Sequence, residues 1–128
     1  MIRKMQTLAM LLIAMGVAAA SWASVPVADA AEVKQLLDNE PDFTLVLDVR
    51  TPGEWSRGHI SGSMLIPMRQ VPQSLARIPK TKKIVVVCAT GARSGAVAKF
   101  LQDQGYIWVK NYAGGLVDWS RRGYPLVR

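Results

Sequence analysis

Two near-continuous aliphatic runs, Thr44 to Val49 (TLVLDV) and Ile84 to Val87 (IVVV), constrain the fold of this chain more than any other feature. A strand with one wet face alternates apolar and polar residues. A run with almost no polar break suits a strand covered on both faces, as in a parallel sheet whose crossovers lay helices over it. The stretches between the runs carry the helical period instead. Ala28 to Leu37 gathers its alanines, Val33, Leu36 and Leu37 on one side. Val71 to Ile78 reads as a second helix, and Ala92 to Gln104 is the clearest, with Ala92, Ala96, Val97, Phe100 and Leu101 on one face and Gly105 to close it. Leu116 to Arg122 is a last short helix. Val25 to Val27, Ser63 to Pro67 and Ile107 to Val109 are shorter strand candidates. Alternation at this pitch predicts an α/β domain around a mainly parallel sheet.

A length of 128 residues holds one such domain, and 50% hydrophobic against 20% charged residues excludes a disordered or coiled-coil chain. A single cysteine and a single histidine leave no material for an intramolecular disulfide, a paired-cysteine zinc site or a multi-histidine metal centre. The glycine fingerprints of nucleotide sites are absent, so no metal and no cofactor is expected.

Residues 1 to 23 read as a signal peptide. Arg3 and Lys4 form a positive start, Thr7 to Ala20 is apolar and uncharged, and Ser21 and Ala23 are spaced for cleavage. The run is shorter than the ~20 residues that span a bilayer, which favours cleavage over an anchor. The expected mature domain is 24 to 128, periplasmic or secreted, with no stable membrane span. Ala28-Asp29-Ala30 offers a second cleavage spacing. Cleavage after Ala23 leaves fourteen basic residues against nine acidic ones. They are scattered apart from Lys80-Thr81-Lys82-Lys83 and Arg121-Arg122, so small anions fit this charge better than nucleic acid.

The chemistry concentrates in Lys83 to Ser94, KIVVVCATGARS. A buried strand ends at Cys88, a short loop with Gly91 follows, and a helix begins near Ala92. Sites in open parallel sheets form beyond the carboxyl ends of strands, where the next helix presents unpaired N–H groups. Such groups, together with a cation such as Arg93, favour thiolate over thiol and can bring a cysteine from ~8.5 to roughly 3.5–7.5. Gly91 lets the loop backbone curl around an anion. Asp48 and Arg50, at the end of a central strand, suit a buried ion pair reaching towards Glu54 or His59. Trp119 suits core packing under the last helix.

These residues resemble the rhodanese family, the thiosulfate sulfurtransferase-like modules, over about residues 25 to 127. LDVRTPGEWSRGHISGSMLIP (Leu47 to Pro67) is similar to the family's first signature, CATGARS to its active loop, and GGLVDW (Gly114 to Trp119) followed by Gly123-Tyr124-Pro125 to its closing signature. Trp55 stands where Phe or Tyr is usual. The resemblance implies a rhodanese-like domain with a mainly parallel five-stranded sheet flanked by helices on both faces. It also implies a sulfur-carrying Cys88, a thiosulfate donor and a thiol or cyanide acceptor. Ala89, Thr90, Gly91, Ala92, Arg93 and Ser94 would bind substrate, and Asp48, Arg50, His59 and Trp119 would support the site. A sulfur-carrier or protein-binding module is the alternative. Cysteine phosphatases place one more residue between Cys and Arg than the four here, giving a wider cradle for phosphate. Oligomeric state and physiological donor are not legible.

Overall fold

The computed structural model describes residues 24–128; the expected signal peptide lies outside them. Five strands form one sheet: β1 (Val27–Ala28), β2 (Thr44–Asp48), β3 (Met64–Leu65), β4 (Lys83–Val87) and β5 (Val109–Tyr112). Their order is β1-β5-β4-β2-β3, and every pairing is parallel. Four α-helices accompany them: α1 (Ala30–Asn39), α2 (Pro52–Ser56), α3 (Ala92–Asp103) and α4 (Gly115–Arg121).

The two aliphatic runs are the sheet's centre, paired residue for residue from Thr44↔Lys83 to Asp48↔Val87. Period two divides their side chains between two cores. Leu45, Leu47, Ile84, Val86 and Cys88 face Val97, Ala98 and Leu101 of α3. Val46, Val85 and Val87 face Val33 and Leu36 of α1 and Leu116 and Trp119 of α4. Helices thus cover both faces, which is why these strands carry so few polar residues.

Several boundaries depart from the sequence reading. Asp29 is not helical: its side chain accepts from the Glu32 N–H at 2.8 Å as the N-cap of α1, which pushes β1 to Val27–Ala28. Val71 to Ile78 forms no α-helix. Pro72 has no N–H to donate, and the segment settles into two 3-10 turns, Met68–Gln73 and Leu75–Arg77. The last strand lies later than Ile107 to Val109. Ile107 points outward with 97% of its surface exposed, and the strand continues through Lys110 and Asn111, which the search for apolar runs passes over. The short α2 was not identified as a helix from periodicity. It is defined by a capping box, with Thr51 Oγ1 accepting from the Glu54 N–H while the Glu54 carboxylate accepts from the Thr51 N–H.

Candidate active site

Cys88 follows the carboxyl end of β4, and the backbone of the next six residues folds around its sulfur. The Gly91 and Ser94 N–H groups donate to Sγ at 3.1 and 3.4 Å, and Ser94 Oγ lies 3.3 Å away. Only 1% of Cys88 is exposed. That burial pushes its pKa up, but hydrogen bonds from the Ser94 side chain and the Ser94, Gly91 and Thr90 N–H groups outweigh it, and the net shift is downward. The predicted ring of donors is therefore partial. Thr90, Gly91 and Ser94 supply it, while the Ala89 carbonyl accepts from Val117 N–H at 3.1 Å on the other side of the loop.

Gly91 is the N-cap of α3, with φ of 99°, a left-handed conformation unfavourable for any residue with a Cβ. A Cβ there would also sit 2.3 Å from the Ala113 carbonyl oxygen. Across the loop, Gly115 at the start of α4 has φ of 67°, and a Cβ on it would meet the Ala89 and Cys88 carbonyl oxygens at 2.3 and 2.6 Å. With that space kept clear, the Leu116 N–H donates to the Cys88 carbonyl at 2.8 Å.

Arg93 is placed differently from expectation. Both arms of its guanidinium are taken by Glu54, Nη1 to Oε1 at 2.8 Å and Nη2 to Oε2 at 3.0 Å. Arg93 holds the Glu54 carboxyl well below the usual range, at about 2, against an opposing push from partial burial. In turn Glu54, more than the Cys88 sulfur, drives Arg93 above its ordinary value. Two clefts flank this ion pair. One, of about 400 Å³, runs past Glu54, Arg57, Ala89 and Arg121. The other, of about 360 Å³, is lined by Arg50, Arg69, Arg93 and Met68.

The supporting residues assemble beneath the loop. Arg50 Nε and Nη2 both donate to Asp48 at 2.8 to 3.0 Å, and both residues are buried. The rest of the guanidinium donates to the Glu54 and Gly58 carbonyls, fixing the helix that carries Glu54. Arg50 thus reaches the backbone of Glu54, while the Glu54 carboxylate goes to Arg93. His59 stacks on Trp55 at 3.5 Å, its Nδ1 lies 3.1 Å from the Trp55 carbonyl, and its backbone bridges Val127. None of these contacts touches Cys88. Trp119 is 1% exposed, lies edge-on to Tyr112 and Tyr124, and donates to the Pro125 carbonyl at 3.0 Å.

Asn111 escaped the sequence reading. Ser94 Oγ lies 2.6 Å from its Oδ1, and its Nδ2 donates to the Gly91 carbonyl at 3.2 Å. One signal was available: a polar residue inside a strand next to β4, which the register places beside Val86.

Comparison with known proteins identifies the family of this fold. The family model for the rhodanese-like domain matches residues 29–122. A sulfurtransferase of Allochromatium vinosum is 38% identical over 99 residues, covering 77% of this chain and 92% of that protein. The thiosulfate sulfurtransferase PspE of Escherichia coli is 36% identical over 74 residues, 56% of this chain and 70% of its own. The crystal structure of a rhodanese-related protein from Thermoplasma volcanium superposes with a TM-score of 0.72 at 31% identity, covering 80% of this chain and 97% of that one. A matched domain spanning most of the described residues, on an all-parallel five-stranded sheet, means that the chain belongs to the rhodanese-like family.

Proposed function

We propose that the chain is a sulfurtransferase that carries a sulfane sulfur on Cys88, with thiosulfate as donor and a thiol or cyanide as acceptor. The observation that carries this reading is the set of N–H donors converging on one buried sulfur whose pKa is lowered. The Cys88 thiolate attacks the outer sulfur of thiosulfate. A new S–S bond forms, the sulfur–sulfonate bond breaks, and its electron pair leaves on sulfite. The acceptor thiolate or cyanide then attacks the terminal sulfur of the persulfide and returns Cys88 as thiolate. Donors already pointing at the sulfur stabilise the anionic persulfide without reorganising, as in an oxyanion hole. No general base is needed once the nucleophile is ionised. Treatment with thiosulfate should add one sulfur atom to the protein mass and release one sulfite per chain. No mass gain overturns the reading.

Arg93 is the group that holds the sulfonate, exchanging Glu54 for the incoming anion. Charged hydrogen bonds are worth roughly 1.5–3 kcal/mol, so Arg93→Ala should lower kcat/KM for thiosulfate ~10–100-fold. Arg93→Lys should recover the charge but not the planar fork, and so only part of the loss. Steady-state kinetics with thiosulfate as the varied substrate measures both.

We also propose export to the periplasm or beyond with cleavage after Ala23. Among the described residues no helix is long and apolar enough to cross a membrane. N-terminal sequencing of extracytoplasmic protein should begin at Ser24; an intact Met1 on membranes overturns the proposal.

A further inference from the structure

Ser94 has one hydroxyl proton and two neighbours able to accept it. Its Oγ is 3.3 Å from Cys88 Sγ and 2.6 Å from Asn111 Oδ1, and the serine is fully buried. Which neighbour receives the proton follows from the other end of Asn111. The Gly91 carbonyl lies 3.2 Å from that end and can only accept, so Nδ2 must face it and Oδ1 must face Ser94. The short 2.6 Å separation is normal for O–H···O and too short for a typical amide N–H···O, which agrees with that orientation. Gly95 leaves room for it, since a Cβ there would approach Asn111 Nδ2 to 3.1 Å. With the hydroxyl proton committed to Asn111, the Ser94 oxygen presents a lone pair to the sulfur. This pairs well with an S–H donor and poorly with a thiolate.

Resting on the reading of Cys88 as the sulfur carrier, we infer that Asn111 is a positioning residue that withholds the Ser94 proton and thereby sets the balance between thiol and thiolate at Cys88. In the thiol state the chain runs S–H to Ser94 Oγ, then O–H to Asn111 Oδ1. When the thiol proton leaves to solvent, the Ser94 hydroxyl rotates towards the sulfur and donates to it, and Asn111 Oδ1 loses its donor. Ionisation at this site therefore gives up two neutral hydrogen bonds, a weak S–H···Oγ and the O–H···Oδ1, while making a charged one. The backbone donors of Gly91 and Ser94 oppose Asn111 by favouring the anion throughout.

The charged groups packed around this chain are themselves paired. Arg93 at the start of α3 is held by Glu54 of α2, and Asp48 at the end of β2 by Arg50. On the β5 and α4 side, the Tyr112 hydroxyl donates to Asp118, which also pairs with Arg122, while Lys110 pairs with Glu32. None of these side chains hydrogen-bonds Ser94 or Asn111 among the described residues.

The test is the pH dependence of Cys88 alkylation by iodoacetamide, which reads thiolate fraction without sulfur transfer. Removing the acceptor in Asn111→Ala should lower the midpoint and give about fivefold more reactive thiolate on its acid side, the worth of one neutral hydrogen bond. Ser94→Ala should raise the midpoint. In the Ser94→Ala background the Asn111→Ala shift should shrink well below its size in wild type, because the serine carries the main effect and only the Nδ2 tie to the Gly91 carbonyl remains to be lost. Asn111→Leu keeps the volume and should behave as Asn111→Ala if the smaller side chain weakens folding. An unchanged or raised midpoint in both Asn111 variants overturns the inference, as does a double variant in which Asn111→Ala keeps its full shift. Failure of sulfur transfer itself would show separately, as wild-type protein that gains no mass from thiosulfate.

Discussion

Replacing Cys88 by alanine should abolish both sulfur loading and turnover while leaving the fold in place. Cys88 is the sole thiol in the chain, so no second nucleophile can take over. The side chain lost is small, and the carbonyl that ties this residue to α4 belongs to the backbone, which the substitution keeps. The expected result is no mass gain after thiosulfate, no thiosulfate:cyanide transfer above the uncatalysed rate, and an unfolding midpoint close to wild type. Appreciable transfer by the alanine protein would remove the persulfide from the mechanism. Cys88→Ser should be equally inactive, because a hydroxyl in the same cradle stays protonated at neutral pH.

The largest effect on stability should come from Asp48→Ala. Asp48 is fully buried and Arg50 is only 6% exposed, and the two share three side-chain hydrogen bonds. Removing the carboxylate leaves a guanidinium in the interior with its charge uncompensated, which costs about 3–5 kcal/mol. Against the ~5–15 kcal/mol that holds a domain together, that is a large share. Urea denaturation should show the midpoint falling with little change in slope. Replacing both partners by apolar residues, Asp48→Leu with Arg50→Met, should restore much of the stability, because the desolvation penalty disappears with the charges. Activity should not return with it. Arg50 also fixes the Glu54 and Gly58 carbonyls, and through them the helix that presents Glu54 to Arg93. A double variant no more stable than Asp48→Ala would mean that packing around the pair, rather than its charge, dominates.

What the sequence disclosed and what it concealed divide along physical lines. β2 and β4 were legible because burial on both faces writes itself into consecutive residues, and α3 because its buried side repeats at helical spacing. The loop was legible because Cys88, Gly91 and Arg93 are close in sequence. The partner of Arg93 lies 39 residues away, and that of Ser94 17 residues away. Nothing local distinguishes the Glu54 that pairs with Arg93 from one that joins Arg50. That choice is made by the capping box, which turns the carboxylate of α2 towards the loop. Asn111 was hidden for a different reason. A search for apolar periodicity treats a polar residue in a strand as noise, although burying one is costly without partners and therefore informative.

The contact between the loop and α4 bears on how readily this scaffold could change its substrate. The Cys88 and Ala89 carbonyls are tied to the Leu116 and Val117 N–H groups, across a gap that only a glycine at position 115 leaves open. The girth of the anion cradle is thus not a property of the four residues between Cys88 and Arg93 alone. It is gauged from outside, by a helix whose Trp119 is locked into the opposite core. A residue inserted between Ala89 and Arg93, the simplest genetic route to a wider cradle, would keep these two ties only by bulging on the side away from α4. Any widening that moves these two carbonyls therefore needs a matching change at the start of α4, more than twenty residues further along the chain.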